Sequence, residues 1–150
     1  MILLGIDLGK VRTGLALCDE GEILASPLAV ITEHNRDRLA DKIAEAAREN
    51  HVRKLIVGLP KNMDGSEGES AQSAREMGEL LEARTGLPVE FFDERGTTIT
   101  AHGYLNETNV RGKKRKAVVD AVAATVILQS YLDGNRSRKE KGGQSPFFVV

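Results

Sequence analysis

Ile2-Leu3-Leu4-Gly5-Ile6-Asp7 is an apolar run closed by an acid, and after a turn containing Gly9 a second run follows, Gly14-Leu15-Ala16-Leu17-Cys18. Both are too short for helices and are bounded by turn residues, so they read as strands. Asp19-Glu20-Gly21-Glu22 is a polar turn, and a third run extends from Ile23 to Ile31. Three strands joined this tightly form an antiparallel meander. Pro27 lies inside the third run and has no backbone N–H for a ladder bond, which predicts a sheet edge.

Downstream the period changes. Leu39, Ile43 and Ala46 or Ala47 mark one face of a helix from about Arg36 to Asn50, with Asn35 as its N-cap. Lys54 to Gly58 reads as a buried strand ending in Leu59-Pro60, followed by a polar loop from Lys61 to Gly68. Ala71, Ala74, Met77 and Leu81 form the inner face of a second helix that Gly86 and Pro88 stop. Val89 to Phe92 is a fifth strand, ending at Asp93-Glu94; a short helix from Thr97 or Thr98 to about Asn106 and a long one from about Lys113 to Leu132 complete the order. The expected fold is α/β, a five-stranded mixed sheet of three antiparallel strands and two reached by helical crossovers, hence parallel, with helices packed on it. Strand ends are where such folds place their sites.

Three carboxylates stand in such places. Asp7 ends the first strand and Glu94 the fifth. Asp120 sits within Ala117-Val118-Val119-Asp120-Ala121-Val122-Ala123-Ala124, a helix apolar on nearly every side. Singly, Asp7 reads equally as a turn former, Glu94 as a salt-bridge partner, and Asp120 as one half of a buried ion pair. Together they suggest a divalent ion, because clustered anions repel unless a cation of high charge density lies between them. Oxygen donors suit Mg²⁺ or Mn²⁺, one ion or two, and such sites hydrolyse phosphodiesters. His34, His51 and His102 read as surface or capping residues, and the single Cys18 as a small buried residue.

The 150 residues fit one domain, and a formal charge of -1 argues against a strongly basic nucleic-acid binder. That figure is a cancellation. Residues 111–141 hold nine basic against three acidic residues, +6, leaving -7 for the remainder. Lys10 and Arg12 follow Asp7, Arg95 follows Glu94, and Arg111, Lys113, Lys114, Arg115 and Lys116 precede Asp120. Cations beside each acid are what a nucleic-acid backbone requires. The short apolar opening is no leader and no run approaches a membrane span, so a cytoplasmic protein without a membrane partner is expected.

The motifs resemble the YqgF/RuvX family in order and spacing: Gly5-Ile6-Asp7-Leu8-Gly9 with Arg12-Thr13-Gly14, Val57-Gly58-Leu59-Pro60 with Asn62-Met63-Asp64-Gly65, Asp93-Glu94-Arg95 with Thr97-Thr98, and Asp120-Ala121-Val122-Ala123-Ala124 with Ile127-Leu128-Gln129 and Tyr131-Leu132. The likeness covers about residues 1–134, leaving a basic then apolar tail at 135–150. Gly96 departs from it, standing where members usually carry a larger apolar residue. The resemblance implies an RNase H-like nuclease domain, a role in 5′ processing of pre-16S rRNA, and Asp7, Glu94 and Asp120 as catalytic metal ligands. Structured RNA, within ribosomal precursor particles, is the expected partner of a monomer or homodimer. Alternatives are a Holliday junction resolvase acting on DNA and a non-cleaving ribosome-assembly module. A sugar-kinase-like ATPase needs two domains, for which the chain is too short.

Overall fold

The computed structural model describes residues 1–94 and 121–135. Five strands form one mixed sheet: β1 (Leu3–Leu8), β2 (Arg12–Cys18), β3 (Ala25–Thr32), β4 (Lys54–Leu59) and β5 (Val89–Asp93), in the spatial order β3-β2-β1-β4-β5. β1 pairs antiparallel with β2, β2 antiparallel with β3, and β4 parallel with both β1 and β5. The expected sheet is the one found. β3 is an edge, and the register slips beside Pro27, where Leu15 faces Ala29 but Ala16 faces Pro27. An edge can accommodate both the bulge and the missing donor.

Several strand boundaries differ from the sequence reading, with β2 starting at Arg12 rather than Gly14. β1 continues through Asp7 to Leu8, which pair with Gly14 and Thr13. β3 begins at Ala25 rather than Ile23, because the Asp19 carboxylate accepts from the Ile23 and Leu24 amides at 2.9 and 2.8 Å and holds both in the turn.

Alternation along β1 divides the core. Leu4 and Ile6 face one layer of helices, α1 (Arg36–Glu49) and α2 (Glu69–Thr85). Leu39, Ile43 and Ala47 form the buried stripe of α1, and Ala71, Ala74, Met77 and Leu81 that of α2. Asn35 caps α1, its side chain accepting from the Arg38 amide at 2.9 Å. Gly86 ends α2 at φ 70°, the left-handed conformation that glycine adopts without strain.

Leu3 and Ile56 face the opposite layer, a helix at residues 121–135 (α3), with Ala124, Ile127, Leu128, Tyr131 and Leu132 buried against the sheet. This helix runs past Leu132; its expected start at Lys113, the short helix at 97–106 and the 136–150 segment lie outside the described residues. α3 packs closely because Gly5 has no side chain, since a Cβ there would stand 2.8 Å from the Leu128 Cβ and 3.1 Å from the Ala124 carbonyl. Polar contacts fix it at both flanks. Gln129 accepts from the Ala25 amide at 2.8 Å and donates to the Ile23 carbonyl at 2.9 Å. Lys54 donates to Glu90 at 2.7 Å and to the Tyr131 hydroxyl at 2.9 Å. Among the described residues, no helix is long and apolar enough to cross a membrane.

Candidate active site

Asp7 has the same parity along β1 as Leu3 and Gly5, so it projects toward the α3 side of the sheet. On β4 the equivalent position is Gly58, one step beyond the Ile6–Val57 pair and directly opposite Phe92 of β5. Glu94 follows β5, two residues after Phe92, with its amide donating to the Leu59 carbonyl at 3.3 Å. Alternation thus brings Asp7, Gly58 and Glu94 to one face at the carboxyl ends of the parallel strands.

The Glu94 carboxylate lies over Gly58. A Cβ at Gly58 would be 2.6 Å from Glu94 Oε2 and 2.7 Å from Ile127 Cδ1, so glycine is what admits the acid between sheet and helix. Burial there, followed by the charges of Asp7 and Asp93, pushes the Glu94 pKa up to about 7. A half-buried carboxylate that shares its face with a second acid is stabilised by a proton or by a cation between the two. The donor set is all oxygen, which fits a hard divalent ion. The described residues alone contain no group of three or more His, Cys, Asp or Glu side chains able to hold a metal. Asp120, the third expected acid, lies outside them, as do Arg95, Arg111, Lys113, Lys114, Arg115 and Lys116.

The two remaining expected contacts separate. Arg12 opens β2 with the parity of Gly14, the partner of Asp7, and so falls on the carboxylate face. Lys10 is exposed in the preceding turn and lines a cleft of about 180 Å³ with Leu8, Glu33 and His34, on the α1–α2 side. A larger cavity, about 550 Å³, lies at the far end of the sheet between Met1, Ile2, Arg48, His51 and Arg53. Volume therefore does not mark the acids, which follow the sheet's open end. His34 and His51 are exposed, and Cys18 is buried with its thiol pKa raised by that burial. Gly58 is the residue that sequence reasoning quoted without a role. Its signal was a glycine inside an apolar strand, a common mark of close approach.

A family model described as "RuvX: Holliday junction resolvase" matches residues 1–134. The chain is 47% identical over 137 residues to a protein of Anaeromyxobacter sp. provisionally named a pre-16S rRNA nuclease, covering 91% of this chain and 100% of that one. A Clostridium botulinum protein of the same name is 41% identical over 133 residues, 89% of this chain and 97% of that one. Among solved structures, Thermus thermophilus RuvC in complex with Holliday junction substrate superposes with a TM-score of 0.59 at 15% identity, covering 91% of this chain and 96% of that one. The fowlpox virus Holliday junction resolvase gives 0.56 at 13% identity, covering 89% and 99%. At these identities the structures speak to fold, and the fold is the RNase H-like one of the resolvases.

Proposed function

We infer that this chain, which belongs to the YqgF/RuvX family, is a nuclease that hydrolyses phosphodiester bonds in the 5′ processing of pre-16S rRNA. The observation that carries this reading is the placement of Asp7 and Glu94 on one sheet face, with Glu94 held near neutrality over Gly58. Asp7, Glu94 and Asp120 are the residues to hold Mg²⁺ or Mn²⁺. Asp120, which directly precedes α3 in the sequence, joins this set as the family resemblance implies. A bound divalent ion supplies the positive charge that lowers the pKa of an attacking water and stabilises the leaving oxygen.

The protein's own part is orientation and charge. Asp7 is fixed by its pairing with Gly14 of β2, Glu94 by its amide bond to the Leu59 carbonyl at 3.3 Å, and Ile127 Cδ1 and Glu94 Oε2 both stand over Gly58. Arg12, with Arg95 and Arg111 to Lys116, would hold the flanking phosphates, and Lys10 would contact backbone farther away. The family's resolvase description makes a DNA junction the substrate to compare. The deciding experiment presents pre-16S-type RNA and a four-way DNA junction side by side, with Mg²⁺, Mn²⁺ and chelator. The wild type is expected to cut the RNA in a metal-dependent manner, and Asp7→Asn, Glu94→Gln and Asp120→Asn to lose at least about 10²-fold in rate. Full cleavage by Asp7→Asn or Asp120→Asn sinks the assignment, and preferential cutting of the junction replaces the RNA substrate with DNA.

A further inference from the structure

The loop from Lys61 to Gly68 is a sequence motif to which the metal site gives no role. It leaves β4 beside the acids: the Leu59 carbonyl that accepts from the Glu94 amide at 3.3 Å also accepts from the Lys61 amide at 3.0 Å. The loop closes on itself. The Gly65 amide donates to the Asn62 carbonyl at 2.9 Å and the Asn62 amide to the Ser66 carbonyl at 2.8 Å. Asn62 Nδ2 donates to Ser66 Oγ at 3.0 Å, and the Ser66 amide and hydroxyl both donate to Asp64 Oδ1, at 2.9 and 2.6 Å. Gly65 takes the left-handed φ of 89° that the turn needs.

At the apex of this braced turn stands Met63, 88% exposed and the most exposed large apolar side chain among the described residues. Scattered apolar side chains on a surface are ordinary; one raised on a rigid frame beside a catalytic edge has a geometric use. It stands four positions after Leu59, so it lies within about 15 Å of the carbonyl that anchors Glu94. The surrounding charge selects the contact. Glu67 is ion-paired with Arg75 at 2.6 Å and Lys61 lies near it, so the turn offers a phosphate no net attraction, whereas a thioether packs well on a flat aromatic face. The chain has no Trp and only 4% aromatic residues to offer instead.

We propose that Met63 is a nucleobase contact, packing against or wedging beside an unpaired base of the substrate strand a few nucleotides from the bond cut. This rests on the nuclease reading above. Met63 thereby sets a preference for unpaired over fully paired substrate at that position.

The test uses the full chain carrying Asp7→Asn, so that RNA is bound and not cut, with and without Met63→Ala, Met63→Leu or Met63→Phe. The probe is an RNA hairpin with a single-stranded 5′ extension containing 2-aminopurine, compared with a blunt RNA duplex. Met63→Ala is expected to weaken binding to the extended hairpin at least about 5-fold and to reduce the 2-aminopurine fluorescence change. Met63→Leu and Met63→Phe should retain both, while duplex binding stays constant in all variants. Unaltered binding and fluorescence in Met63→Ala, or equal losses on hairpin and duplex, overturn the proposal. If the Met63→Ala result is unaltered while the protein with Asp7 intact still cuts RNA, the nuclease reading survives and this inference alone fails. If the chain with Asp7 intact neither binds nor cuts RNA, both fail together.

Discussion

Gly58 and Glu94 are coupled by contact, and that coupling has measurable consequences. Gly58→Ala must push Glu94 or Ile127 aside, as its Cβ would meet them at 2.6 and 2.7 Å. Overpacking of this kind costs about 1–3 kcal/mol, and displacement of the acid should lower cleavage at least about 10-fold. Adding Ile127→Val should recover part of the stability in urea unfolding and none of the cleavage, because the clash with the carboxylate persists. Recovery of both together would mean that Glu94 position does not limit the reaction. Glu94 also makes stability depend on pH. Its pKa is about 7 in the folded protein against 4.5 ordinarily, so between those values the folded state keeps a proton that the unfolded state has lost. Without metal, stability therefore falls as pH rises through that window and stays lower above it. Glu94→Gln should raise Tm above pH 7 by about 2–4 °C and leave it unchanged below pH 4. Mg²⁺ or Mn²⁺ should raise the Tm of the wild type more than that of the variant; equal shifts would remove Glu94 from the ligand set.

Among the elements, α3 depends most on a few polar contacts. Gln129 satisfies the Ala25 amide and the Ile23 carbonyl, and Tyr131 shares Glu90 with Lys54. Gln129→Ala leaves the part-buried Ala25 amide without that partner and should cost about 1–3 kcal/mol. Hydrogen exchange should show faster exchange at Ala25 and along 121–135, with α1 amides unaffected at equal denaturant. Uniform acceleration everywhere would mean that α3 does not open separately. The strands were legible as short apolar runs bounded by turn residues, and both crossover helices by apolar residues recurring every three to four positions. The early turn was not, since Ile23 and Leu24 are apolar enough to read as strand and only the Asp19 carboxylate holds them out of it. The same limit separated Arg12 from Lys10. Both follow Asp7 in the chain, but strand parity turns Arg12 toward the acids, while Lys10 remains in a turn whose direction no periodicity encodes.

For the molecule as a whole, the opposition between a -1 net charge and a +6 segment at 111–141 turns on salt. With little overall positive field, long-range attraction to nucleic acid is weak and affinity rests on local contacts. Replacing Lys113, Lys114, Arg115 and Lys116 with alanine should flatten the dependence of log K on log salt by about 3 units of slope. An unchanged slope would place the phosphate contacts elsewhere. Asp7 and Glu94 were legible as acids at strand ends; their shared face was not, because it depends on β4 lying between β1 and β5. That arrangement is set by pairing between distant segments rather than by any local pattern.

The fit of Leu128 over Gly5 joins the beginning of the chain to its last described helix. In synthesis, Gly5 leaves the ribosome well before Leu128, by about 6–24 s at usual elongation rates. Until then β1 has no cover on the side that carries Asp7, and Glu94 lacks Ile127 against it. A growing chain whose residues 121–135 have not emerged therefore lacks Leu128 over Gly5 and Ile127 over Gly58. For an enzyme proposed to act on ribosomal RNA precursors, the packing of α3 over Gly5 and Gly58 is thus among the last contacts of the described fold to form.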